Sequence, residues 1–151
     1  MLEPFVYTIE VDCNQEKAFG IFVNDMAAWW PLDKRSMSMH SGKPPKALLV
    51  EPKAGGKIVE IGHDDTEYHW GTFKTFDPPE AIRMDFHMGL SADCASLVEV
   101  RFTDLSNERT QVVLTHSNWE AFGDMAEMMR GGYRSGWVII FEEAFKAACQ
   151  R

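Results

Sequence analysis

His116 stands at the end of the alternation Val112, Leu114, His116, which a strand turns to a single apolar face, and Trp119 follows three residues later. A neutral imidazole in such surroundings can orient a ligand carbonyl or hydroxyl, or act as a base near neutral pH. Its plainer role is that of a core histidine, satisfied by a neighbouring backbone group or by Tyr133. Glu60 lies in the run Ile58-Val59-Glu60-Ile61, where parity leaves open which face is inside. Turned inward it faces an apolar cavity within reach of His116 or a ligand. Turned outward it is a solvated strand residue or half of an ion pair. His116 with Glu60 or Tyr133 is the acid–base set available to a cyclase, dehydratase or hydrolase type of enzyme, on condition that the groups converge on one point. No residue earns a catalytic assignment from the sequence itself.

Around these groups the chain is rich in rings. Trp30, Trp70, Trp119, Trp137 and Tyr133 could line a small-molecule site with apolar surface and a few polar tips, or could equally fill a core. Met37, Met39, Met84, Met88, Met125, Met128 and Met129 have flexible thioether side chains that suit an adaptable apolar surface, and of these Met84 and Met129 join Phe86 beside the rings. With Glu60 and His116, those rings and these last three residues form the expected ligand-binding set. The run Gly131-Gly132-Tyr133-Arg134-Ser135-Gly136-Trp137 sits inside the longest helical pattern. Three interior glycines weaken a helix by roughly 2–3 kcal/mol against alanine. Close approach of another backbone, or open space kept beside the helix for a ligand, would account for them.

Positioning falls to three kinds of element. Phe5, Tyr7, Ile9 and Val11 alternate with polar or smaller residues and predict a strand with one buried face. Asp12 or Asn14 then caps a short helix through Ala18, Phe19, Phe22, Val23 and Met26, stopped at Trp29-Trp30-Pro31, and a loop runs from Leu32 to Pro45. From Ala47 to Glu120 turn residues punctuate five or six strands, which predicts an antiparallel meander. Ile82, Met84, Phe86 and Met88 form the apolar side of one strand, against Arg83, Asp85 and His87. Asp124 and Glu127 have capping-box spacing and open a long helix carrying Met125, Met128, Met129, Tyr133, Trp137, Ile140, Phe141, Ala144, Phe145 and Ala148 on its apolar face. Such a face needs a partner, and the one-sided sheet is the large surface available. The fold class is therefore α+β, a curved antiparallel sheet wrapped around a long C-terminal helix.

The chain has 151 residues, enough for one domain spanning 1–151 with a core of its own. A formal net charge of -8 argues against nucleic acid or an anionic membrane as partner. Cys13, Cys94 and Cys149 are an odd number without CxxC spacing and read as reduced thiols of a cytoplasmic protein, and the N-terminus lacks signal-peptide character. The stretch His63 to His69 has metal-binding residue types, but Asp64-Asp65-Thr66 is hairpin-turn chemistry, so no metal is expected. No phosphate loop, dinucleotide fingerprint or nucleophile elbow calls for a cofactor. The association state, monomer or homodimer, stays open.

Read in order, Val11, Ala18-Phe19, Trp29-Trp30-Pro31, Gly55-Gly56, Glu60, Trp70-Gly71, Asp77-Pro78-Pro79, Val98-Glu99-Val100, Phe102 and Thr110 make a familiar series. It continues through Leu114 to Trp119 and ends with Gly132-Tyr133 and Gly136-Trp137. The chain resembles the START-like (SRPBCC) superfamily, in its branch of homologues of the activator of the 90-kDa heat-shock-protein ATPase. The resemblance implies a helix-grip fold with an apolar cavity between sheet and long helix. It implies either a small apolar or aromatic ligand, for a carrier or sensor, or a chaperone partner for an interaction module. The superfamily spans carriers, receptors, cyclases and co-chaperone modules, so membership selects no single function.

Overall fold

The structure, a computed structural model, describes residues 2–150. Strand β1 (Phe5–Val11) alternates as expected, with Ile9 and Val11 buried and Val6, Thr8 and Glu10 exposed. Asn14 caps α1 (Gln15–Asn24), its side-chain oxygen accepting from Lys17 N at 2.8 Å. The helix expected to run on to Trp29 breaks at Asp25, and α2 (Met26–Trp29) is a separate turn. The Trp29 indole donates at 2.8 Å to the Ile21 carbonyl, which also accepts from Asp25 N at 3.2 Å, so the buried ring finds its acceptor at the break. Pro31 ends α2, because a residue before proline is driven out of the helical region, and Trp30 has ψ 131.

Six strands follow: β2 (Ala47–Val50), β3 (Lys57–Ile61), β4 (Glu67–Asp77), β5 (Ala81–Phe86), β6 (Ser96–Ser106) and β7 (Arg109–Ser117). All pair antiparallel in the order β1-β7-β6-β5-β4-β3-β2, so the meander is closed at one edge by the N-terminal strand. Register shifts at Ile58/Val59, Phe73/Thr75 and Asp104/Ser106 mark bulges, which bend a sheet and increase its twist. At Gly71 the sheet is crowded: a Cβ there would lie 2.1 Å from the Asp85 carbonyl oxygen.

The concave face carries Ile58, Trp70, Phe73, Ile82, Met84, Phe86, Val98, Val100, Val112 and Leu114, all fully buried. Against it lies the C-terminal helix: α3 (Ala126–Trp137), a π-helical stretch over Val138–Phe145, and α4 (Lys146–Cys149). Trp137, Phe141, Phe145 and Cys149 are buried at intervals of four residues. An α-helix turns such a stripe by about 40° at every step, and the wider i→i+5 turns oppose that drift. The stripe thereby stays on the sheet. The expected capping box is absent: Gly123 has φ 59 and ψ -128, the residue flanking α3 is Met125, and no side chain caps the helix.

Since Gly131 is exposed and a Cβ there meets nothing within 4 Å, Gly131→Ala should raise stability by about 0.5–1 kcal/mol, or roughly 1–4 °C in Tm. Gly71→Ala should lower it by at least about 2 kcal/mol, since a backbone oxygen cannot yield to the new methyl. Thermal and urea unfolding of the two variants check this pair.

Candidate functional site

The first half of the C-terminal helix is fastened to the β1 edge and packs Tyr133 on Phe86, His116 and Trp119. Tyr7 donates to the Arg134 carbonyl at 2.7 Å, Arg130 Nε donates to the Glu3 carbonyl at 2.9 Å, and the Arg130 guanidinium lies 4.0 Å from the centre of the Phe5 ring. These contacts fasten α3 to the β1 edge. On another side Met125, Met129, Gly132, Gly136 and Ile140 follow one another at helical spacing and line a cleft of about 350 Å³. Its other walls are Trp30, the segment Lys34 to Met37 with His40, and His87, Met88 and Leu90 beyond β5. Gly132 has nothing within 4 Å of its ideal Cβ and Gly136 only the Ile140 terminal methyl at 3.9 Å, so both glycines keep space open.

Glu60 is wholly buried and holds the loop wall in place. Its carboxylate accepts from Met37 N at 2.9 Å, Ser38 N at 2.7 Å and the Trp70 indole at 2.9 Å. Trp30 braces the same wall through its indole, which donates to the Arg35 carbonyl at 2.8 Å.

His116 is also wholly buried, and both ring nitrogens are used. The Trp137 indole can only donate and does so to Nδ1 at 2.9 Å, which leaves the proton on Nε2. Nε2 donates to Ser96 Oγ at 2.7 Å, and that hydroxyl donates to the Phe86 carbonyl at 2.9 Å. The relay runs one way from helix to sheet and pins α3 over β5, β6 and β7. Burial pushes the His116 pKa down to about 3, so the ring is neutral. Burial raises that of Tyr133, which keeps its hydroxyl protonated.

Of the residues expected to bind ligand, Trp30, Met129 and Tyr133 are on the cleft wall. Trp70, Met84, Phe86, Trp119 and Trp137 are fully or almost fully buried and lie, with Glu60 and His116, outside the cleft lining. The space between Trp70, His116 and Tyr133 is occupied by rings, with Phe86 centred 6.1 Å from His116 and 5.8 Å from Tyr133. Glu60 and His116 are bonded to different partners and do not meet.

Sequence reasoning missed His87, Leu90 and the loop residues Lys34, Arg35, Ser36 and His40, and offered Met37 and Met88 only as adaptable apolar surface. Alternation assigns His87 to the outer side of β5 with Arg83 and Asp85, yet it is 1% exposed. The strand ends at Phe86 and the chain swings through positive φ at Met88 and Gly89, so parity stops applying one residue too early. Met125 and Met128, expected on the packed face of the helix, are 45% and 64% exposed on the cleft rim, because α3 is tethered to β1 and overhangs. The spacing Met125, Met129, Gly132, Gly136 was the available signal. The stretch around Asp64 is the tight turn its composition suggests, with Thr66 N donating to Asp64 Oδ1 at 3.1 Å.

A curved antiparallel sheet gripping a C-terminal helix, with a cleft beside that helix, defines a helix-grip protein of the START-like superfamily. The chain belongs to the family described as Activator of Hsp90 ATPase homolog 1-like protein, whose model matches residues 12–148. No curated protein matches it. Among solved structures it is similar to an anthrahydroquino-gamma-pyrone synthase, 27% identical over 85% of each chain with a TM-score of 0.62. The self-sacrificing resistance protein CalC from Micromonospora echinospora is 22% identical over 97% of this chain and 93% of its own, with a TM-score of 0.71. An HSP90 activator from Plasmodium falciparum is 21% identical over 90% and 93%, with a TM-score of 0.56. No helix among the described residues is long and apolar enough to cross a membrane.

His116 has its ordinary value of 6.5 in the unfolded chain and about 3 in the folded one. Its contribution to stability is complete above pH 6.5 and is lost as pH falls towards 3, by about 1.4 kcal/mol per pH unit. His116→Gln, whose amide can accept from Trp137 and donate to Ser96 without titrating, should lack that slope, so in urea melts at pH 7, 6, 5 and 4 the stability of the variant relative to the parent should rise as pH falls below 6.5. Glu60→Ala should leave two backbone amides and an indole without their acceptor. The expected result is at least about tenfold faster hydrogen exchange at Met37 and Ser38.

Proposed function

We propose that the protein holds a small apolar or aromatic molecule in the cleft between α3 and the Lys34–His40 segment, as a carrier or sensor. The observation that carries this reading is the stripe Met125, Met129, Gly132, Gly136, Ile140, on which Gly132 faces open space, Gly136 meets the Ile140 methyl at 3.9 Å, and the remaining residues are apolar. A volume of about 350 Å³ suits a molecule of a few fused rings. Trp30 and Tyr133 supply flat ring surface, and the cleft methionines can rearrange around different shapes. Helix stability given up at Gly132 and Gly136 maintains the cleft.

The acid–base reading has weaker support, although a synthase is among the structural relatives. Both nitrogens of His116 and both oxygens of Glu60 are engaged in packing bonds. A chaperone-docking reading calls for an apolar patch away from the cleft. The exposed apolar residues Leu90, Met125 and Met128 belong to the cleft rim, Val6 and Leu49 lie on opposite edge strands, Leu105 is near the end of β6 and Val138 follows α3.

N-phenyl-1-naphthylamine, an uncharged aromatic dye, should bind with a rise in fluorescence and, at a hundredfold excess over its Kd, stabilise the fold by about 2.7 kcal/mol. Gly132→Leu should abolish that binding by filling the cleft while raising stability by about 1 kcal/mol through helix propensity. No binding by the parent protein, or undiminished binding by Gly132→Leu, counts against the reading.

A further inference from the structure

We infer that the cleft selects an organic acid: a molecule with an apolar, ring-sized body and one anionic group, received at His87 and drawn in by Lys34 and Arg35. The inference rests on the ligand-binding reading and names its substrate class.

The first support is charge. The chain carries 23 acidic against 15 basic residues, yet the cleft lining contains Lys34, Arg35, His40 and His87 and, among the described residues, no Asp or Glu. Neither Lys34 nor Arg35 forms a salt bridge with a described residue. In an acidic protein, unpaired cations at the mouth of an apolar cleft favour entry of an anion and exclude a cation.

The second support is His87, which is 1% exposed, lines the cleft, and has no hydrogen-bond partner at either ring nitrogen. Buried polar groups are nearly always paired, and one left unpaired costs about 1–3 kcal/mol. The backbone around it is firmly held. His87 N and Met88 N both donate to the Trp70 carbonyl, at 2.8 and 3.0 Å, Gly89 N donates to the His69 carbonyl at 2.8 Å, and Leu90 N donates to the His87 carbonyl at 3.0 Å. The His69 ring stands edge-on 4.7 Å away, itself fixed by Nε2 donating to the Gly71 carbonyl at 2.9 Å. The imidazole is thus held in the cleft wall with no hydrogen bond of ordinary geometry at either ring nitrogen beyond a weak interaction with the Leu90 backbone. Burial, with His69 second, lowers its pKa, against smaller opposing effects of Asp85 and the Leu90 backbone. A neutral ring still donates from one nitrogen, and an acid group brought against it favours its protonated form, so the pair strengthens on contact. Met37, Met88 and Met129 then surround the apolar body.

The test compares two dyes that share one ring system, 1-anilinonaphthalene-8-sulfonate and the uncharged N-phenyl-1-naphthylamine, by fluorescence titration at fixed low salt. The anionic dye should bind at least about tenfold more tightly. His87→Leu should weaken the anionic dye about tenfold and leave the uncharged one unchanged or tighter. The double variant Lys34→Gln/Arg35→Gln, confined to exposed side chains, should weaken the anionic dye several-fold and flatten its salt dependence even if His87→Leu folds poorly. Gly132→Leu should lose both dyes, which assigns them to the cleft. Equal affinity of the two dyes, or an anionic preference untouched by the variants that fold, overturns the inference while the ligand-binding reading stands. Failure of both dyes to bind overturns the two together.

Discussion

The structure depends on burying one side of the C-terminal helix against the concave face of a bent sheet. Trp137, Phe141, Phe145 and Cys149 recur every four residues, and π-helical turns keep that stripe on the sheet. Phe145 also receives the short helices, with Phe22 and Trp29 each centred 5.1 Å from its ring, so one residue joins three layers. C-terminal to Trp137 the buried stripe serves packing, with Ile140 also reaching the cleft. The half before it is tethered by Arg130 and Tyr7 to one sheet edge and left free on the side of the cleft. A closed core and an open cleft therefore share one continuous helix, with Trp137 at the boundary.

Two buried polar groups secure that boundary. His116 joins helix to sheet through an indole and a hydroxyl, and Glu60 joins the sheet to the loop opposite the helix through two amides and another indole. Each has titratable chemistry and each is engaged in architecture, holding one wall of the cleft at a set distance from the other. In a low-dielectric interior such bonds are worth most when complete, and these are complete. His87 is the contrast: similarly buried, rigidly mounted, and unbonded. Its difference from His116 separates a histidine that holds the fold from one available to a guest.

Much of the fold was legible in residue periodicity. The parity of β1, the Asn14 cap, the run of strands after Ala47 and the long apolar C-terminal helix follow from which side chains must leave water, a choice made over a few residues. The helix expected up to Trp29 breaks at Asp25, and the buried Trp29 indole takes the Ile21 carbonyl beside the break as its acceptor, a contact that periodicity does not record. The capping box at Asp124 has the right letters, but the chain enters α3 through a positive-φ glycine and never presents them in register.

The sequence by itself determined that a glycine-weakened helix would lie on a one-sided sheet, that rings and methionines would gather there, and that His116 would point inward. Tertiary structure alone decided where the space remained. Alternation assigns a face only while a strand continues, and β5 stops one residue before His87; loop residues such as Arg35 and Met37 carry no period to read. The cleft arises where three segments far apart in sequence fail to close on one another, and such a gap belongs to their spatial arrangement and to no single stretch of chain.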